Sequence, residues 1–146
     1  MINDFEKAEN KGRAKFEKLV EQNWDIYDLQ FTTNAYDNVD AYFYYKGKKF
    51  AVEIKNRESY YDSWNIEVLK YEKMKEQIEN GNIQGGYFAV FYNDKAYLYD
   101  FNTIEKCYTD FGIGNMVARK TTCGNSDYTT KKVITLPVSK AKIYNI

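Results

Sequence analysis

The chain has no histidine, one proline and two cysteines among its 146 residues. Without histidine it cannot build a Ser-His-Asp or Cys-His triad, an HNH or HExxH site, or almost any zinc hydrolase. Acid, base or metal chemistry therefore falls to carboxylates, lysines and tyrosines, and hard oxygen ligands favour Mg²⁺ or Mn²⁺ over zinc. Cys107 and Cys123 lie far apart with no CxxC spacing, and two thiols alone cannot hold zinc. They read as reduced structural residues of a cytoplasmic protein. With so little proline and only eight glycines there is no flexible linker or low-complexity segment. No repeat at solenoid periods is visible. Met1-Ile2-Asn3-Asp4-Phe5-Glu6 has no apolar run resembling a signal peptide, and no stretch approaches the ~20 apolar residues of a membrane span. A single soluble domain over 1–146 is the expectation.

The chain also lacks net charge, with 21 basic and 21 acidic residues. The distribution is uneven. Residues 1–30 carry five basic and seven acidic groups, 31–118 ten and thirteen, and 119–146 six and one. A basic C-terminal stretch beside an acidic body suits phosphate contact while carboxylates hold a metal, although a lysine-rich solvated hairpin has the same composition.

Phe5, Ala8, Gly12, Phe16, Leu19 and Val20 recur at helical spacing and predict a helix over about 3–22. Segments 24–33, 39–45 and 49–55 read as strands. Trp64, Val68, Tyr71, Met74 and Ile78 predict a second helix over 63–80, stopped by Asn80-Gly81-Asn82. A hairpin over 86–92 and 96–101 follows, turning at Asn93-Asp94-Lys95. Segments 117–123 and 132–138 look like strands, 141–144 extends the last one, and 107–128 has no functional reading. The expectation is α/β: a helix-and-strand core over about 3–101 with a mixed central sheet flanked by helices, plus a β-rich extension over about 102–146.

Along strand 49–55, Ala51, Glu53 and Lys55 share one face and Phe50, Val52 and Ile54 the other. If Lys46 and Gly47 form a two-residue turn, Asp40 lies directly opposite Glu53, with Cβ atoms about 5 Å apart. A turn at Gly47-Lys48 instead sets Asp40 against Lys55 with Glu53 diagonal, and a three-residue loop breaks the cluster. Facing carboxylates repel unless a cation sits between them or one keeps a proton. Two carboxylates can hold Mg²⁺, which activates water and neutralises phosphate charge, and an adjacent ammonium can orient that water.

Asp40 followed by Glu53-Ile54-Lys55 on the next strand resembles the PD-(D/E)XK nuclease superfamily, whose core is αβββαβ. The resemblance covers roughly 10–101. Lys11-Gly12-Arg13-Ala14-Lys15-Phe16-Glu17 is similar to the first helix of the archaeal Holliday-junction resolvase branch, where a glutamate contributes to metal binding and Glu17 matches it. The resemblance implies that Asp40, Glu53, Glu17 and the Ile54 carbonyl hold Mg²⁺ or Mn²⁺ and that Lys55 orients the attacking water. It implies too that Lys70, on the second core helix, faces the site. Val39 stands where the motif has proline. Glu17 flanks the apolar stripe of its helix, whereas Glu9 falls nearer the stripe's middle and Glu21 shares the helix. The candidate nucleic-acid contacts are Lys70, Tyr42, Tyr44, Arg57, Lys131 and Lys132. Tyr42, Tyr44, Tyr60 and Tyr61 are placed to stack on unpaired bases, although tyrosine also suits half-buried strands. The expected function is a metal-dependent endonuclease on branched or duplex DNA, of the junction-resolving or repair type, from a phage or bacterium and working as a homodimer. The alternatives are a nucleic-acid-binding module that keeps the fold without turnover and an assembly protein in which Asp40, Glu53 and Lys55 are structural.

Overall fold

The computed structural model describes residues 4–33, 39–119 and 128–146. The helix α1 spans Asp4–Asn23, β1 Tyr27–Phe31, β2 Ala41–Tyr45, β3 Lys48–Arg57, β4 Ser63–Glu67 and α2 Val68–Glu79. These are followed by β5 Gly85–Tyr92, β6 Lys95–Asp100, α3 Phe101–Phe111, β7 Gly114–Arg119, β8 Tyr128–Pro137 and β9 Lys142–Asn145. A mixed six-stranded sheet runs β1-β2-β3-β5-β6-β9, and a second sheet runs β4-β8-β7.

The middle of the large sheet is the parallel pair β3 and β5, joined through β4 and α2, while every other pairing is antiparallel. Both faces of that pair are covered, which explains its near-continuous apolar runs. On one face α1 lays Phe16, Leu19 and Val20 against Phe43, Val52, Ile54, Ala89 and Phe91. Gly12 allows the helix to approach closely, since a Cβ there would stand 3.0 Å from Ile54 Cγ2. On the other face Trp64, Ile66, Tyr71, Ile134 and Leu136 close over Phe88, Val90, Tyr97 and Tyr99, while Met74 and Ile83 close over Ala51.

Three expectations are corrected. The helix predicted over 63–80 begins only at Val68, because Ser63–Glu67 is strand paired to β8. Trp64 and Ile66 fit a strand's alternation as well as a helix stripe, and the partner strand decides. The extension expected to be β-rich from about 102 opens instead with α3, which also takes Phe101 from the strand expected over 96–101, with Ile104 and Cys107 buried and Asp100 accepting a 2.8 Å hydrogen bond from the Thr103 N–H as a side-chain cap. Finally, β9 does not extend β8. The strand ends at Pro137, a 3-10 turn over Val138–Lys140 redirects the chain, and β9 joins the other sheet beside β6. The described part of the basic C-terminal stretch is thereby split between two sheets. Cys107 is buried with a free thiol, and Cys123 lies outside the described residues, as do the last residues of the strand expected over 117–123.

Candidate active site

The β2–β3 turn is Lys46-Gly47, with φ of 49° and 79°. Positive φ at both central residues is the type I′ hairpin geometry, which matches the right-handed twist of the strands. It sets Tyr45 opposite Lys48 and Ala41 opposite Val52, so one step further Asp40 comes opposite Glu53. There the ladder changes character. The Asp40 N–H donates to the Val52 carbonyl at 3.1 Å, whereas the Ile54 N–H donates to the Asp40 carboxylate Oδ2 at 2.7 Å. Asp40 is held from behind as well, its carbonyl accepting from Thr32 N at 2.9 Å. A residue's N–H and C=O point to the same side of a strand, so the Ile54 carbonyl faces the Asp40 side, beyond the start of β2 at Ala41.

Glu53 is 1% exposed, the only charged residue among the described ones to be fully buried. Its Oε2 has no hydrogen bond, and the Lys70 ammonium stands off at 3.7 Å. Burial first and the Asp40 charge second push the carboxyl up from 4.5 to about 8, against the pull of Lys55 and Lys70. A buried carboxylate is costly unless a cation or proton joins it. Lys55 lies half-buried two residues along the same face.

Of the predicted residues, Asp40, Glu53, Ile54, Lys55 and Lys70 are therefore gathered. Glu17 is not: it is exposed, and among the described residues no three His, Cys, Asp or Glu side chains come together as a metal group. The reason is geometric. The helix α1 packs Gly12 on Ile54, the face of β3 opposite Glu53, and Glu17 turns outward from Phe16. Glu9 is nearer in connectivity. It accepts from Arg13 at 2.8 Å, and Arg13 in turn donates to the Thr32 carbonyl at 2.8 Å. Sequence reading missed Arg13, whose visible signal was its i,i+4 spacing from Glu9.

The other candidates scatter. Tyr42 shares the Glu53 face through its pairing with Ala51, and its hydroxyl meets Gln77 at 2.9 Å. Tyr44 stacks on Tyr27 with ring centroids 5.8 Å apart. Arg57 continues the Glu53–Lys55 face. Burial lowers its pKa, opposed by Glu67 and Tyr61. Lys131 reaches Glu67 at 3.1 Å, and Lys132 is exposed.

An oxygen donor set of two carboxylates and a carbonyl suits Mg²⁺, which commonly takes one or two carboxylates and keeps several waters. The unsatisfied Glu53 Oε2 is what such an ion would satisfy, so the residues present fit a hard divalent cation.

Fold and site together define a mixed α/β domain whose central hairpin presses two carboxylates together beside two lysines. A solved nuclease from a fusselovirus shares this fold, matching 97% of this chain and 88% of that one with a TM-score of 0.55 at 17% identity. No protein-family profile matches the chain, and neither does any curated protein. Among the described residues no helix is long and apolar enough to cross a membrane.

Proposed function

We propose that the protein is a metal-dependent nuclease of the PD-(D/E)XK type that hydrolyses DNA phosphodiester bonds, of the junction-resolving or repair class. The observation that carries this reading is Glu53: a fully buried carboxylate, facing Asp40, with one oxygen unsatisfied and a lysine on either side. A fold shared with a viral nuclease supports it. Asp40, Glu53 and the Ile54 carbonyl hold Mg²⁺ or Mn²⁺. When bound, the ion activates water and neutralises phosphate charge. Asp40 is positioned by the Ile54 N–H, and β3 fixes Glu53 and Lys55 on one face. Lys55 orients the attacking water and stabilises the developing charge. Lys70, 3.7 Å from Glu53 Oε2, pulls that carboxyl back towards the ionised form that would hold the ion. Cutting both strands of a branched substrate needs two such sites, for which a homodimer is the expected form.

One observation favours a second reading. With only two acidic groups at the site among the described residues, a DNA-binding module without turnover would look similar. Labelled duplex, single-stranded and four-way-junction DNA incubated with Mg²⁺ or Mn²⁺, beside Glu53→Ala, separates the two. Metal-dependent cutting that disappears in the variant supports the nuclease. DNA binding without cutting in any metal, unchanged by EDTA, replaces it with the binding module.

A further inference from the structure

The polar line of the site runs on into an aromatic surface at the carboxyl ends of the parallel strands. Register sets Glu53 beside Phe88, Lys55 beside Val90 and Arg57 beside Tyr92, so all six share a face. After Arg57 the chain turns through 58–62 into β4, and Tyr60 and Tyr61 stand there 47% and 59% exposed. The Tyr60 ring lies 5.8 Å from Tyr92 and meets Trp64 edge-on at 6.1 Å, while Tyr61 meets Trp64 edge-on at 6.0 Å. Trp64 is 3% exposed and its indole N–H has no partner. Both tyrosines are thus braced against a buried ring and keep much of their surface open to solvent. Arg57 lies between them and Lys55 along the chain, and it interacts with Glu67, the carboxylate that Lys131 pairs with.

Open aromatic surface beside cations suits a strand of nucleic acid, because every base has a stackable face and every linkage a negative charge. Arg57 stands four steps along β3 from Glu53, about 13 Å, so the tyrosines just beyond it would meet bases a few nucleotides along a strand at ~3.4 Å each.

We propose that Tyr60 and Tyr61 are a stacking platform for unpaired bases a few nucleotides from the phosphate placed at the Asp40, Glu53 and Lys55 site. The inference rests on the nuclease reading and adds a substrate class: nucleic acid with unpaired nucleotides beside the cut, such as a flap, a frayed end or an open junction, in preference to closed duplex. Bases within a duplex already stack on one another and offer the tyrosines no free face.

The test is equilibrium binding in EDTA to labelled oligothymidylate, to the same oligomer with abasic positions, and to blunt duplex. Tyr60→Ala with Tyr61→Ala is expected to lose roughly 5- to 150-fold in affinity for oligothymidylate per stacked base. Its affinity for duplex and for the abasic oligomer is expected to stay at the parent's level. Tyr60→Phe with Tyr61→Phe, which keeps both ring faces, is expected to retain the parent's affinity for oligothymidylate. An alanine variant that binds oligothymidylate like the parent, or loses duplex affinity equally, overturns the platform. Cleavage with Mn²⁺ is measured in parallel. A parent that cuts DNA with preferences the alanine variant shares leaves the nuclease standing and removes the platform, whereas a parent that neither binds nor cuts removes both.

Discussion

Replacing Glu53 with glutamine is expected to stabilise the metal-free protein, increasingly so as pH rises. The folded carboxyl is raised from 4.5 to about 8, chiefly by burial. Between those values the native state holds a proton that the unfolded chain releases, so stability falls as pH climbs through the window and is fully present only below it. This is opposite in sign to a salt-bridged surface carboxylate. At pH 7 the cost is about 3 kcal/mol, and at pH 5 under about 1 kcal/mol, since one pKa unit is worth about 1.4 kcal/mol. Glutamine has nearly the shape of the protonated acid and never ionises. For a chain of this size each kcal/mol moves the midpoint by about 2–4 °C. The variant should therefore melt within a few degrees of the parent at pH 5 and about 6–12 °C above it at pH 7. Thermal unfolding in EDTA at half-unit steps from pH 5 to 8 reads this directly. A difference that stays flat across the range would refute the reasoning, showing that water or the flanking lysines keep Glu53 ionised at little cost.

Three further outcomes follow from the same structure. Mg²⁺ or Mn²⁺ at about 100 times its dissociation constant should stabilise the parent by about 2.7 kcal/mol and leave Glu53→Gln unmoved. No shift in the parent's melting curve would remove Asp40 and Glu53 as a cation site. Tyr99→Phe deletes a buried hydroxyl that donates to the Leu136 and Pro137 carbonyls at 3.1 and 3.0 Å. It should cost about 1–2 kcal/mol in urea unfolding, and an unchanged midpoint would show that those carbonyls find other donors. Gly86→Ala would drive a Cβ into the buried Met74 Sδ, which should cost about 1–3 kcal/mol. Full stability there would mean that the Met74 side chain swings aside freely.

Several elements are readable because their causes are local. The α1 stripe of Phe16, Leu19 and Val20 is visible as spacing and is buried as spacing predicts. Lys46-Gly47 predicts a tight turn, and its two positive φ values fix the register that brings Asp40 to Glu53. At the β5–β6 hairpin the expected turn Asn93-Asp94-Lys95 closes as Asn93-Asp94 alone, with Asn93 at φ of 51° and Lys95 already paired to Tyr92. The helix α3 also left local signals that went unread: Asp100 precedes Thr103 at capping distance, Gly112 follows Phe111, and Phe101, Ile104, Cys107, Tyr108 and Phe111 recur at helical spacing.

What the sequence settled by itself was the alternation of β3, hence Glu53 and Lys55 on one face, and a short list of turns before it, from which the structure selects Lys46-Gly47 and so sets Asp40 opposite Glu53. Those features depend on residues within about fifteen positions of one another, where backbone geometry leaves few options. Only tertiary structure decided that Trp64 and Ile66 lie in a strand, because β8, some seventy residues on, supplies their hydrogen-bonding partner. It likewise decided that α1 covers the face away from Glu53, leaving Glu17 outside the site, and that α2 brings Lys70 to 3.7 Å from Glu53. Glu53 is buried by elements from across the chain, and that burial raises its pKa more than the Asp40 charge does, while Lys55 and Lys70 lower it. Which element covers which face is settled by long-range packing, and local spacing carries no record of it.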